Sequence, residues 1–307
     1  MQTELERLTG AFRFRAKVLS AIRSAFDSRS FVEVTTPVRI AAPAAEEYIE
    51  APQSGAFFLR TSPELEMKRL LCAGMERIYQ IGPCFRAYET GRLHRTEFDM
   101  LEFYMAHADY RKLLTMLRAI LIETAWNVNG CTKLKTRHGE VELDTNWDII
   151  PVRQAFRVFA GVDADEAAQE ESRFEEILTE KVEPRLDPSR PTVLIDYPIR
   201  FAALARPLAS DPTLAERWEV YIGGVELANT YSELTNPQIQ RERFAEARAT
   251  RTRLGMAEYP EPVNFLNAID KGMPESTGSA LGFDRLVMLL AGADSLSEVS
   301  FPLDDEN

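Results

Sequence analysis

Apolar residues recur along this chain in two periods, and the switches between them mark out its elements. Leu5, Leu8, Phe12, Val18, Leu19, Ile22 and Phe26 fall roughly on one stripe, with Arg and Lys between them, which predicts an amphipathic helix over 3–30. A period of two takes over at 30–38 and ends near Pro37, which has no N–H to give a sheet ladder. Ala, Pro, Glu and Gly dominate 41–56, a loop or irregular hairpin. Residues 57–60 read as a short strand. Thr61-Ser62-Pro63-Glu64 then reads as a helix start, with Pro and Glu where the first turn favours them. Strands are expected at 77–82, 84–88 and 97–104, with Arg92, His94 and Arg95 in the polar loop before the last. A helix over 109–127 and a β-ribbon over 131–149 follow. The acidic stretch 151–190 reads as a solvated helical lid or insertion without recognisable chemistry.

The second half holds the clearest local signal. Alternating residues flank Gly223-Gly224, which predicts a two-residue hairpin joining 218–222 to 225–231. A buried strand at 193–197, a charged helix over 236–254 and a short helix over 263–271 complete the pattern around it. Residues 278–290 run from a strand of small residues into an apolar helix, with Arg285 in its first turn. Small residues let a flat ligand lie close to the backbone, and the helix start with Arg285 suits an anion such as a nucleotide phosphate. An ordinary strand–helix join with a solvated Arg accounts for the same residues. Strands outnumber crossover-sized helices, so an α+β fold with an antiparallel sheet flanked by helices is expected.

Composition narrows the setting. With 307 residues, 45% hydrophobic and 27% charged, the chain is of globular type. It has no apolar run near the roughly 18–20 residues of a membrane span and no signal-peptide pattern, so a cytoplasmic location without membrane partners is expected. Cys72, Cys84 and Cys131 are odd in number and lack metal-ligand spacing, which suggests reduced thiols; His94, His107 and His138 are too scattered for a metal motif. A net charge of −12 disfavours broad nucleic-acid binding but leaves room for a local basic patch.

Three stretches line up in order and spacing: a strand ending at Pro37, the segment from Phe85-Arg86 through Glu97-Phe98 to Glu102-Phe103-Tyr104, and the small-residue strand leading to Asp284-Arg285. Together they resemble the signature motifs of class II aminoacyl-tRNA synthetases. Thr61-Ser-Pro-Glu-Leu-Glu-Met-Lys-Arg-Leu70, Val225-Glu-Leu-Ala-Asn229 and Glu233-Leu234 look like the lysyl branch, and in particular its paralogues that ligate (R)-β-lysine to elongation factor P. The resemblance covers about 11–300. It implies the class II catalytic fold as a single domain over 1–307. Lysyl-tRNA synthetases carry an OB-fold ahead of the first motif; the single helix before Ser30 leaves no room for that five-stranded barrel, so tRNA is not an expected partner.

The resemblance also implies roles. Arg86 would hold the α-phosphate and the amino-acid carboxylate, and Arg285 the far side of ATP; these two are the expected catalytic residues. Ala87, Tyr88, His94, Arg95, Glu226, Leu227 and Gly282 complete the expected ATP contacts, with Glu226 and Glu233 as Mg²⁺ ligands. Seven residues apart, those two glutamates have opposite parity on a continuous strand, so the strand must bend or end between them. Ser62, Pro63, Glu64, Glu102, Tyr104, Asn229, Glu233 and Ala280 form the expected pocket for a basic amino acid. Ala280 stands where lysyl synthetases have Gly, which favours β-lysine. Tyr88 stands where the family has a Glu that reads adenine, Arg95-Thr96 where it has Asn-Pro, and the tail 300–307 is unusually acidic. ATP and Mg²⁺ as co-substrate and cofactor, elongation factor P as acceptor and a homodimer follow from the likeness. The alternatives are an activating paralogue with another acceptor, or a catalytically silent regulator.

Overall fold

Alternation along the Glu97–Ala106 strand sets the layout of the molecule. Leu101, Phe103 and Met105 point into a core shared with the helices Glu4–Asp27, Tyr110–Asn129 and Phe283–Ala291, while Glu102 and Tyr104 point to the opposite face. A computed structural model describes residues 4–44, 49–201 and 204–302. Its main sheet runs in the order Val32–Glu33, Arg77–Phe85, Glu97–Ala106, Ser276–Gly282, Val225–Ser232, Asp211–Ile222, Thr192–Pro198, Asp148–Pro151, with Pro207–Leu208 added beside Asp211–Ile222. Pairing is antiparallel through the middle and parallel only at the two edges, so the sheet is mixed rather than purely antiparallel. The α+β architecture stands.

Two strand expectations need correction. Residues 77–82 and 84–88 form one strand, Arg77–Phe85, paired without interruption from Arg77↔Met105 to Phe85↔Glu97. Pro83 is tolerated because the neighbour on its free side reaches only Ile78 and Tyr79. Arg86 stands just past the strand's end, its N–H still bonded to Thr96 O (3.0 Å). Within 30–38 only Val32 and Glu33 pair; beyond them Gln80 Oε1 accepts from Thr36 N (2.8 Å) and Arg60 Nη1 donates to Thr36 O (3.1 Å). At Thr36 side chains take the place of a partner strand, while Val34 N still bonds Tyr79 O (2.8 Å).

The predicted hairpin is present, with both Gly223 and Gly224 at positive φ. Asp109 caps Tyr110–Asn129 and Asn236 caps Pro237–Arg253, each accepting backbone N–H groups of the first turn. Residues 151–190 are not a solvated excursion. Phe156, Phe174, Ile177 and Val182 build their own core against Leu194, Tyr197 and Tyr221 of the sheet. Two π-helical turns, Phe156–Ala160 and Leu178–Val182, lie in it. Among the described residues no helix is long and apolar enough to cross a membrane. The acidic tail from 303 onward lies outside the described residues.

Candidate active site

The sheet face opposite the main core lines a cavity of about 550 Å³. Its closed end is a knot of buried acids. Register places Glu102 opposite Ala280 and Ala280 opposite Asn229, on three adjacent strands. Glu102 accepts hydrogen bonds from Ser62 Oγ (2.7 Å) and from the Tyr104 hydroxyl (2.5 Å). Ser62 Oγ in turn accepts from Glu64 N, so the turn before Glu64–Cys72 holds Ser62 against the sheet. One turn on, Lys68 is 1% exposed and reaches both Glu64 Oε1 and Glu233 Oε2 at 2.5 Å. Tyr231 donates to Glu64 from the hairpin. Burial, reinforced by Glu64, pushes the Glu102 carboxyl up to about 7. Burial also raises Glu233, although Lys68 pulls the other way. Against the downward pull of its own burial, Glu233 and Glu64 raise Lys68, which keeps it cationic.

Gly278 makes this packing possible. A Cβ there would run into the edge of the Tyr104 ring and lie 2.5 Å from Glu233 Oε1. The residue is a glycine because the tyrosine needs its space, not for an unusual backbone angle.

The open end is basic. Arg285 donates from Nε to Leu93 O (3.1 Å) and from Nη1 to Glu226 O (2.8 Å), and its Nη2 is 3.0 Å from His94 Nε2. Gly282 lies under the aliphatic part of Arg285, where a Cβ would sit 3.2 Å from its Cδ. Burial and then Arg285 lower the affinity of His94 for a proton, so the ring is neutral near pH 7. Arg86 lies over Phe98 with Nη1 3.6 Å from Glu89, and its buried Nε has no hydrogen-bond partner among the described residues. An orphaned donor on a cationic fork is what an incoming phosphate or carboxylate oxygen would satisfy. Arg95 is buried and lines the cavity too. Tyr88 lines it from a left-handed backbone (φ 68°) and is 89% exposed.

The parity problem of Glu226 and Glu233 is solved by a bulge. Val220 pairs with Ala228 and Tyr221 with Glu226, which leaves Leu227 as an extra residue. Glu226, Asn229 and Tyr231 all line the cavity as a result, and Glu233 follows just past the strand end. The expected metal pair is nevertheless split. Glu233 lies beneath the cavity, wholly buried and bound to Lys68, whereas Glu226 lies at the open end with Oε2 3.3 Å from Arg285. The acid that acts on Glu226 is Glu219, whose charge adds to burial in raising the Glu226 carboxyl. No convergent group of three or more metal-ligating side chains exists among the described residues.

Ser62, Glu64, Arg86, Tyr88, His94, Arg95, Glu102, Tyr104, Glu226, Leu227, Asn229, Ala280, Gly282 and Arg285 thus share one cavity wall. Pro63 and Ala87 do not: Pro63 serves as the cap of Glu64–Cys72, and Ala87 N bonds Glu50 O. Lys68, Arg217 and Glu219 were not singled out from the sequence. A lysine at i+4 from a glutamate looks like a solvated helix pair, and Arg217-Trp-Glu219 looks like half a hairpin strand.

Residues 1–304 match the family model of the class II tRNA synthetases (D, K and N). The lysine–tRNA ligase of Pelotomaculum thermopropionicum is 33% identical over 95% of this chain, which spans only 63% of that protein's length. The elongation factor P–(R)-β-lysine ligase of Edwardsiella ictaluri is 36% identical over 93% of this chain and 92% of its own, and that of Vibrio cholerae 35% identical over 94% of both.

Proposed function

The chain belongs to the class II tRNA synthetases of the D, K and N branch, and from that premise we propose that it is an ATP-dependent ligase. Its amino acid is a dicationic one, (R)-β-lysine, and its acceptor a lysine of elongation factor P, as the names of the relatives matched over nearly their full length indicate. The observation that carries this reading is the charge count at the closed end. Glu64, Glu102 and Glu233 face one internal cation, Lys68. Fully ionised, they leave two negative charges, which is what the two ammonium groups of a diamino acid supply.

The chemistry needs positioning more than covalent help from the protein. A carboxylate oxygen of the amino acid attacks the α-phosphorus of ATP and pyrophosphate leaves. The acceptor's amine then attacks the acyl carbon and AMP leaves with the bonding pair. Arg86 compensates charge on the α-phosphate, and Arg95, His94 and Arg285 line the path of the outer phosphates. Mg²⁺, when bound, would supply neutralising charge to the phosphates; Glu226 at the open end would hold it, while the carboxylate of Glu233 is already taken up by Lys68. Ala280 narrows the pocket by one methyl group, a difference of about 1–3 kcal/mol between close isomers. Residues 1–307 act in this reading as one cytoplasmic catalytic domain that works as a homodimer. A main sheet that gathers strands from Val32 to Gly282 supports the single domain.

Pyrophosphate exchange with lysine, (R)-β-lysine and ornithine tests activation, and exchange is expected to be strongest with (R)-β-lysine. No exchange with any of the three sinks the proposal. The intact mass of elongation factor P after incubation with ATP and the amino acid tests transfer. An unchanged mass beside active exchange reassigns the acceptor.

A further inference from the structure

Arg217 stands on the Asp211–Ile222 strand, lines the cavity and spends its whole guanidinium on fixed partners. Nη2 donates to Glu219 Oε1 at 2.5 Å, Nη1 to the carbonyl of Phe201, and Nε to Asn229 Oδ1 at 3.1 Å. Its plane lies over the Tyr197 ring, 4.4 Å from the centroid. The Tyr197 and Tyr221 hydroxyls both reach Glu219 Oε2, at 2.6 and 2.7 Å, and so hold the arginine's counter-ion in turn. The tyrosine face, the carboxylate and the carbonyl leave the fork one orientation.

That orientation has a consequence for Asn229. Arginine has donors only, so the atom of the amide that meets Nε must be the oxygen. The NH2 edge is thereby turned away from Arg217. Asn229 lies beside Ala280, whose other neighbour in the sheet is Glu102, in a cavity that Glu64 and Glu226 also line. A pair of donors among carboxylates marks where the negative end of a zwitterion is received.

We propose that Arg217 is a positioning residue for the amino-acid substrate: by occupying Oδ1 of Asn229 it fixes the amide with its NH2 toward the cavity, where that group receives the substrate's carboxylate. This rests on the amino-acid-activating reading above. Without Arg217 the amide is free to turn and present its oxygen, which repels the carboxylate.

The test is a cycle of Arg217→Lys, Asn229→Ala and the double variant. KM is read in pyrophosphate exchange and Kd by calorimetry, for the amino acid and for its amino alcohol, which has CH2OH in place of the carboxylate. Lysine keeps a cation against Glu219 but has no planar fork to hold the amide. Arg217→Lys is expected to raise KM and Kd for the amino acid about tenfold, as befits a charge-assisted contact, with KM for ATP and kcat within about twofold. Binding of the amino alcohol is expected to stay unchanged, and Arg217→Lys to have no further effect on top of Asn229→Ala. Unchanged amino-acid affinity, a parallel loss of the alcohol, or additive effects would overturn the proposal. Should Arg217→Lys fail to fold, Arg217→Met with Glu219→Gln removes both charges together and takes its place in the cycle. Absence of exchange in the unsubstituted protein defeats the activating reading alone, because the calorimetric comparison still decides the role of Arg217.

Discussion

Replacing Lys68 by Met isolates the charge balance on which the amino-acid end depends. The change keeps most of the side chain's volume and removes the one cation between Glu64 and Glu233, each 2.5 Å away. Removing one partner of a buried ion pair costs about 3–5 kcal/mol, because the other charge is left without compensation. In a chain of this size that corresponds to a loss of roughly 5–8 °C in Tm. The loss depends on pH with a definite sign. With Lys68 in place the buried Glu233 already holds its proton up to about pH 8, well above the unfolded value of about 4.3, and without its cation it holds that proton to higher pH still. Both proteins therefore lose stability alike below pH 8; above it only the variant keeps a proton that the unfolded chain has lost, so its deficit grows as pH rises, by up to about 1.4 kcal/mol per pH unit. Urea unfolding of both proteins from about pH 6 to about pH 10 measures this. The deficit is expected to hold level up to about pH 8 and to widen above it. A deficit of the same size at both ends would refute the reasoning, since it would mean that Lys68 contributes packing rather than charge.

Gly278→Ala forces Tyr104 off Glu102; overpacking of this kind costs about 1–3 kcal/mol, and we expect KM for the amino acid to rise in exchange assays while KM for ATP holds. The opposite order would show that the tyrosine does not shape the amino-acid end. Arg285→Lys removes a planar fork that spans Leu93, Glu226 and His94, and kcat/KM for ATP is expected to fall about 100-fold. A loss under about threefold would take Arg285 out of catalysis. Glu102 is raised to about 7 and must be ionised to pair with an ammonium group, so kcat/KM for the amino acid should rise as pH increases through 7. The same shift makes the ligand-free protein less stable over that window, because the folded state gives up a proton that the unfolded state lost at lower pH. A flat profile, or one unaltered by Glu102→Gln, would remove Glu102 from the substrate's contacts.

Local chemistry explains which features could be read in advance. Gly223-Gly224 announces its hairpin because two successive left-handed residues suit few other side chains. Strand alternation puts Glu102 and Tyr104 on one face, but the resemblance to class II synthetases was needed to mark that face as a pocket wall. Elements defined by distant partners were not legible. Residues 30–38 have the composition of a strand, yet at Thr36 Gln80 and Arg60 take up the backbone groups a ladder would have used. The core of 151–190 was hidden by its acidic surface, since Phe156 and Phe174 are few among many charges. The resemblance put Glu233 at the metal; its burial against Lys68, which no spacing encodes, speaks against that role. Arg217 escaped notice because its partners come from Phe201, Glu219 and Asn229, which meet only when the sheet is assembled.

The extra residue at Leu227 does more than turn side chains over. Two strands of regular alternation can slide past one another by two residues and still present the same faces. With a bulge that freedom is gone, because the unpaired residue must meet the same point of the partner strand. The hairpin therefore behaves as a ruler with one permitted setting. From Glu226 at the nucleotide end to Glu233 at the ammonium end it measures about 20 Å along the strand. Its length fixes how far the proposed ammonium site stands from the proposed nucleotide site, whatever the loops around it do.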